Sequence, residues 1–368
     1  MTLSFEGWSG YNPSMFKAPA QALLEWYSIN ARDLPWRGLK DPYAIWISEV
    51  MLQQTRVDTV IPYYMRWMEK FPNIEQLAEA GIQDVLQLWE GLGYYRRAHH
   101  MHHAAKLILS DYGGAFPERL KDIEGLPGVG PYTAAAIAAF AFDEDVIAYD
   151  GNLRRILSRL FNFAGDPRSP QGKRTLVSKA LEWMPSRSSS RFNQALMDLG
   201  ALICHPRGPQ CSSCPLQSFC QGYAAGVQED RPIRKKKGSI PHFAVTAGVL
   251  ECDGKVLIAR RPEGQLLGGL WEFPGGKCEN EETLEDCLLR EWQEELGMDI
   301  YIGEALGVFS HAYTHFRVTV HAFKCLASGE GPEAHEHSEL RWVKPDELQR
   351  YPMGKVDREI SRTIAGRS

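Results

Sequence analysis

The pattern of apolar and polar positions changes period near residue 240. Before that point apolar residues recur every three or four positions, the spacing of one helix face. The pattern predicts helices over Ala18–Asn30, Tyr43–Val60, Ile74–Ala80, Ile82–Trp89, Tyr95–Tyr112, Thr133–Phe142, Leu153–Phe161 and Lys173–Glu182. Gly or Pro marks the turns between them. Asp41-Pro42 reads as a helix start, with Asp as cap and Pro in the first turn. In the helix that follows, Trp46, Val50 and Val57 line one face, and Glu49, Gln53 and Arg56 another. No convincing strand occurs here, so this part is predicted all-α. After Pro241 the segments His242–Glu251, Lys255–Arg260, Leu306–Ser310 and Phe316–Ala327 alternate or are rich in strand formers. Asp253-Gly254 suits a hairpin turn, and one helix, Thr283–Leu296, interrupts the strands. This predicts a separate α+β domain.

The expected division is a flexible arm at 1–16, a helical domain at 17–225, a linker at 226–240 and a second domain at 241–368. The linker is polar and contains Arg234-Lys-Lys-Lys237. It reads as a solvated spacer, as a DNA-backbone contact or as a tie across both domains. Composition is that of an ordinary soluble protein, 44% apolar over 368 residues. The net charge of −5 does not advertise nucleic-acid binding, but it is uneven. Residues 226–368 carry 24 acidic and 19 basic side chains, whereas residues 1–225 balance at 22 and 22. A basic DNA-facing surface on the first part is therefore allowed. Met1–Ala20 lacks the apolar core of a signal peptide, and no apolar run is long enough to span a membrane. A cytoplasmic protein is expected, in which eight cysteines do not form disulfides.

Candidate chemistry begins with Leu126-Pro-Gly-Val-Gly-Pro-Tyr-Thr133. Gly128 and Gly130 let N–H groups turn outward just before a helix start, which makes an anion nest. A helix–hairpin–helix gripping a phosphate, about 117–142, is the expected unit. Asp150 follows one helix length later, where a carboxylate could stand beside whatever the hairpin grips. Asp150 and Asn152 could equally cap the next helix. Cys204, Cys211, Cys214 and Cys220 have the spacing C-x6-C-x2-C-x5-C. Zinc sites use two short knuckles or a histidine pair, and only one gap here is short. A [4Fe–4S] cluster fits such gaps better. It would tie a loop containing His205, Arg207 and Gln217 that could face DNA.

Together these elements resemble the endonuclease III superfamily of DNA glycosylases over roughly residues 20–222. Within it, Ser48-Glu-Val-Met-Leu-Gln-Gln-Thr55 is similar to the signature of the adenine DNA glycosylase, or MutY, family. The resemblance implies a six-helix barrel with a cluster-bearing lobe. It implies that Glu49 protonates adenine at N7 and later helps activate water. Asp150 would stabilise the sugar cation, with Asn152 and Tyr132 orienting it. Two carboxylates suit that chemistry, because the leaving base needs a proton and the sugar needs charge support. Strand-cutting relatives carry Lys where this chain has Tyr132, which implies a monofunctional enzyme. Such enzymes extrude the target base. Gln54-Thr55 and Gly91-Leu-Gly-Tyr-Tyr95 resemble the family's wedges, so Gln54, Thr55, Leu92 and Tyr94 would engage DNA. Arg32, Trp36, Arg37 and Gln194 resemble the adenine pocket. Taken singly, Glu49 reads as a solvated helix residue, and Trp36 and Tyr94 as packing.

The second domain resembles a Nudix, MutT-like domain, which in this family reads 8-oxoguanine. Phe309-Ser-His-Ala-Tyr-Thr-His315 resembles its recognition loop, with Tyr313, Thr314 and His315 around the lesion. The chain departs from the family's usual degraded Nudix box, since every position from Gly276 to Met298 fits the full pattern. Glu291, Glu294 and Glu295 share one helix face. They would suit Mg²⁺ or Mn²⁺, or belong to a retained box without turnover. The expected function is a monomeric adenine glycosylase of base excision repair, acting on duplex DNA with adenine opposite 8-oxoguanine or guanine. Three alternatives stand beside it. They are an endonuclease III-like glycosylase/lyase, a Nudix pyrophosphohydrolase tethered to a DNA-binding module, and a non-catalytic cluster-bearing DNA binder.

Overall fold

The computed structural model describes residues 18–233, 240–279, 281–329 and 331–366. The expected arm at 1–16 and the basic run Arg234-Lys-Lys-Lys237 lie outside the described residues. Among the described residues twelve α-helices come first: α1 Ala18–Asn30, α2 Pro42–Met51, α3 Val57–Lys70, α4 Ile74–Glu79, α5 Ile82–Trp89, α6 Arg96–Tyr112, α7 Leu120–Glu124, α8 Pro131–Phe142, α9 Gly151–Leu160, α10 Pro170–Trp183, α11 Ser189–Leu202 and α12 Gln221–Ala224. Then come β1 His242–Cys252, β2 Lys255–Arg260, β3 Trp271–Glu272, α13 Leu284–Leu296, β4 Asp299–Ala312, β5 Arg317–Ser328, β6 Glu339–Val343 and α14 Lys355–Ala365. The chain divides into two compact units, one of Met1–Glu75 with Ala104–Lys236, the other of Gln76–His103 with Lys237–Ser368. Residues 76–103, which the sequence pattern puts with the helical part, thus group with the strands.

In the first unit Asp41 caps α2, its carboxylate accepting from Tyr43 N at 3.0 Å and Ala44 N at 3.3 Å. The helix predicted over Tyr43–Val60 is in fact two. Gln54 has φ 59°, a left-handed conformation that an α-helix of L-residues does not continue through. The chain therefore leaves α2 at Met51 and restarts at Val57, so Gln53 and Arg56 do not share a helix face with Glu49. Half of α8 is alanine, and the helix is buried from Thr133 to Phe140. A core of Leu23, Leu24, Ile156, Leu157, Leu176, Phe192, Leu196 and Leu199 joins α1, α9, α10 and α11. α11 escaped the pattern because buried Asn193 and Asp198 interrupt its apolar face.

The second unit is built on a six-stranded sheet of order β3-β2-β1-β5-β4, with β6 also paired to β2. β1 and β5 run parallel, from His242 opposite Arg317 to Leu250 opposite Cys325, while β4 and β5 form an antiparallel hairpin. Adjacent residues of β1 face opposite cores, as the strand period requires. Val249 packs with Ile360 and Ile364 of α14. Leu250 packs with Leu288 and Trp292 of α13. Among the described residues no helix is long and apolar enough to cross a membrane.

Candidate active site

Glu49 lies on α2, and its burial overturns the reading of a solvated helix residue: it is 5% exposed. The Tyr132 hydroxyl, from the first turn of α8, donates to Glu49 Oε2 at 2.6 Å. Burial pushes the Glu49 carboxyl up to about 7, against the Tyr132 hydrogen bond and the charge of Arg37, which lower it. Asp150 adds to the rise, so the two carboxyls sense each other. Asp150 is the cap of α9. It accepts from Leu153 N at 2.7 Å and from the Asn152 amide at 2.9 Å. Burial raises its pKa too, while those donors and Arg155 oppose the rise. The cap and the functional reading are compatible, since one oxygen pair serves both. One expectation is corrected: Tyr132 is bonded to Glu49, whereas Asn152 alone of the two expected positioning residues holds Asp150. The arrangement thus offers a carboxyl whose proton is available near neutral pH, next to a second carboxyl held by N–H donors.

Arg32, Arg37 and Gln194 are brought together by a residue the sequence reading missed. Asp198 is fully buried and accepts from Arg32 N at 3.0 Å, Arg32 Nε at 2.9 Å, Arg32 Nη2 at 2.7 Å and Arg37 Nη2 at 2.8 Å. Arg37 Nη1 reaches Gln194 Oε1 at 2.6 Å and the Tyr27 hydroxyl at 2.8 Å. Trp36 stands apart from this network, buried edge-on against Tyr64 with ring centroids 5.2 Å apart. Gln54 is exposed, and the Thr55 hydroxyl donates to Gln53 O at 3.4 Å. Gln53 itself donates to the Thr133 hydroxyl at 3.1 Å, which ties the turn after α2 to α8. In the hairpin only Gly128 needs glycine's freedom, with φ 74°. Gly130 is the cap of α8 with φ −86°, so the expected pair of outward-turning glycines is one.

The four cluster-spaced cysteines, Cys204, Cys211, Cys214 and Cys220, line one cavity with Ile156, Leu160, Leu199 and Ile203. Arg159 Nη1 lies 3.2 Å from Cys204 Sγ and donates to His205 O at 2.6 Å. An apolar pocket ringed by thiols, with one guanidinium against them, fits an anionic cluster. Arg155 links this loop to the carboxylates. It donates to Cys204 O at 2.8 Å, to Gly200 O at 2.9 Å and to Asn152 Oδ1 at 3.1 Å, and Asn152 holds Asp150. Arg155 and Arg159 are one turn apart on the buried face of α9. Two arginines on an apolar face were the available signal for them.

In the second unit Tyr94 is exposed with φ 52°, while Leu92 is only 5% exposed. Of these two expected wedges, only Tyr94 is presented. Its hydroxyl is hydrogen-bonded to that of Thr314. Tyr313 is turned inward, stacked on Phe316 with centroids 4.6 Å apart, and His315 is exposed. Glu291, Glu294 and Glu295 do not converge. Arg290 Nη1 binds Glu291 Oε1 and Glu294 Oε2, each at 3.0 Å, and Glu295 accepts from Gly275 N at 3.1 Å. Among the described residues no three His, Cys, Asp or Glu side chains are grouped to hold a single metal ion.

Residues 47–182 match the HhH-GPD superfamily of base excision DNA repair proteins, and residues 245–363 match the NUDIX domain. The adenine DNA glycosylase of Mus musculus is 34% identical over 89% of this chain and 74% of its own length. A thermostable thymine-DNA glycosylase covers 56% of this chain and 95% of its own, at 31% identity and TM-score 0.52. Endonuclease III in a non-covalent DNA complex covers 59% of this chain and 99% of its own, at 20% identity and TM-score 0.50, and shows the fold of the helical part.

Proposed function

The chain belongs to the adenine DNA glycosylase family, and from that premise we propose a monofunctional enzyme that hydrolyses the N-glycosidic bond of adenine opposite 8-oxoguanine or guanine. The observation that carries this reading is buried Glu49, hydrogen-bonded by Tyr132, beside Asp150. Tyr132 occupies one oxygen of Glu49, which leaves the other to carry the proton. That proton passes to adenine N7, the bond to the sugar breaks, and its electrons leave with the base. Positive charge grows on the sugar, where the Asp150 carboxylate stabilises it. Glu49, now ionised, takes a proton from the water that adds to C1′. Arg32, Arg37 and Gln194 would hold the extruded base. Tyr132 offers no amine, so no Schiff base forms at that position. Gly128 and Gly130 would grip a phosphate.

Cys204, Cys211, Cys214 and Cys220 would hold a [4Fe–4S] cluster, which supplies a rigid brace for the loop rather than a step of the reaction. Lesion reading falls to the turn of Tyr313, Thr314 and His315. Thr314 and His315, both exposed, would reach the base, whereas Tyr313 is stacked on Phe316. A divalent cation at Glu291, Glu294 and Glu295 would require Arg290 to release two of them. Adenine release under single-turnover conditions tests the reading. Duplexes with adenine opposite 8-oxoguanine, guanine and thymine are compared, and borohydride is added to trap any covalent adduct. Release that is fastest opposite 8-oxoguanine, with no trapped adduct, is expected. Efficient trapping would favour the lyase alternative.

A further inference from the structure

The loop Gly91–Tyr94 joins α5 to α6, and Gly91, Gly93 and Tyr94 all have left-handed φ, 94°, 71° and 52°. Gly91 and Gly93 adopt such angles freely but adopt others as freely, and Tyr94 adopts its own at a cost, so surrounding contacts must fix the shape. Both ends are held by the backbone of one residue, Met353. Glu90, which ends α5, accepts from Met353 N at 3.0 Å. At the other end the Tyr95 hydroxyl donates to Met353 O at 3.2 Å and accepts from Gly91 N at 3.2 Å. Glu90 also takes Arg358 Nε at 2.5 Å and Nη2 at 2.9 Å. Arg358 in turn donates to Leu348 O at 2.9 Å and Tyr351 O at 2.5 Å. The two charged side chains are only 19% and 13% exposed, so the pair is poorly screened and geometrically fixed. At the loop's apex, Tyr94 is bonded to Thr314 of the β4–β5 turn. All these residues belong to the second unit.

We propose that Glu90 is a positioning residue for lesion discrimination. Its clamp on Arg358 and Met353 sets the Gly91–Tyr94 loop in register with the β4–β5 turn, so wedge and lesion reader meet DNA as one rigid piece. This rests on the reading that Tyr94 is a wedge and Thr314 part of the lesion reader. Glu90 bonds to Arg358 and Met353, so it acts on DNA indirectly, through the loop that carries Tyr94. A wedge held in place spends no binding energy on ordering itself, and that saving is realised only when Thr314 also finds its base.

The test uses the full-length protein with Glu90→Gln, which keeps length and removes charge, and with Arg358→Gln, Arg358→Lys and the double glutamine variant. Single-turnover adenine release is measured opposite 8-oxoguanine and opposite guanine, with circular dichroism as a folding check. In Glu90→Gln the ratio of the two rates should fall about tenfold, within the coupling range of contacting pairs, and the rate opposite guanine should fall far less. The double variant should lose no more than the larger single loss, and Arg358→Lys should lie between wild type and Arg358→Gln. An unchanged ratio in a folded Glu90→Gln protein, or equal slowing on both substrates, overturns the clamp alone. A wild-type ratio near one overturns the lesion-reading premise and the clamp with it.

Discussion

Asp198→Asn is the sharpest test of how the proposed adenine pocket is built. The substitution keeps the size of the side chain and removes a charge that is fully buried. Four hydrogen bonds from two arginines end on that carboxylate, two of them at 2.7 and 2.8 Å. The arginine side chains are themselves only 26% and 15% exposed. An amide can accept with one oxygen, and its NH₂ points donors at donors. Breaking one side of a buried ion pair costs about 3–5 kcal/mol, because the surviving charges remain desolvated. Equilibrium urea unfolding followed by tryptophan fluorescence should show a loss of that size. The adenine-release rate should fall as well, because Arg37 no longer fixes Gln194. The triple variant Arg32→Gln, Arg37→Gln, Asp198→Asn should lose less stability than the sum of its parts, since no unpaired charge is left. A single variant within about 1 kcal/mol of wild type, or a strictly additive triple, would refute the reasoning.

Three further outcomes follow from Glu49 and the cysteines. Glu49 must be protonated to act, and burial raises its carboxyl to about 7 from an ordinary 4.5. Single-turnover rates should hold a plateau at lower pH and fall as pH rises through about 7, while a rate that climbs over that range would contradict the role. The same shift adds stability that is fully present below the ordinary value and lost as pH rises through about 7; Glu49→Gln should remove that dependence. Purified protein should contain iron and sulfide in equal amounts, and Cys211→Ser should weaken DNA binding more than the chemical step; one zinc and no iron would refute the cluster.

The helical and strand-bearing parts were legible because their apolar periods differ, and the Asp41-Pro42 cap was readable from two adjacent residues. What the period hid was the break after Met51. The apolar spacing continues across it, and only the left-handed Gln54 ends the helix. α11 was hidden for the opposite reason, since its inward face carries Asn193 and Asp198. α14 was missed as well, although Ile360 and Ile364 sit one turn apart in its buried stripe. Asp150 was singled out by its place after the hairpin and Glu49 through resemblance, but their environment was not legible, because burial is a property of the fold. The partners of those groups lie far away in sequence: Tyr132 is 83 residues from Glu49, and Asp198 is 166 from Arg32. Spacing rules reach one or two helical turns and cannot register such pairs. The clamp of Glu90 on Arg358 spans 268 residues and belongs to the same class.

In the proposed mechanism Glu49 gives the proton and Asp150 supports the sugar's charge, and one experiment addresses that division directly. Wild type, Glu49→Gln and Asp150→Asn are each bound in excess to a duplex with adenine opposite 8-oxoguanine, and both binding and adenine release are measured on the same samples. Both variants should bind the duplex with near-wild-type affinity and release adenine at least a hundredfold more slowly, a loss of order 10² being typical when a positioned acid or charge is removed. Release near the wild-type rate by either variant, with binding intact, would contradict the account.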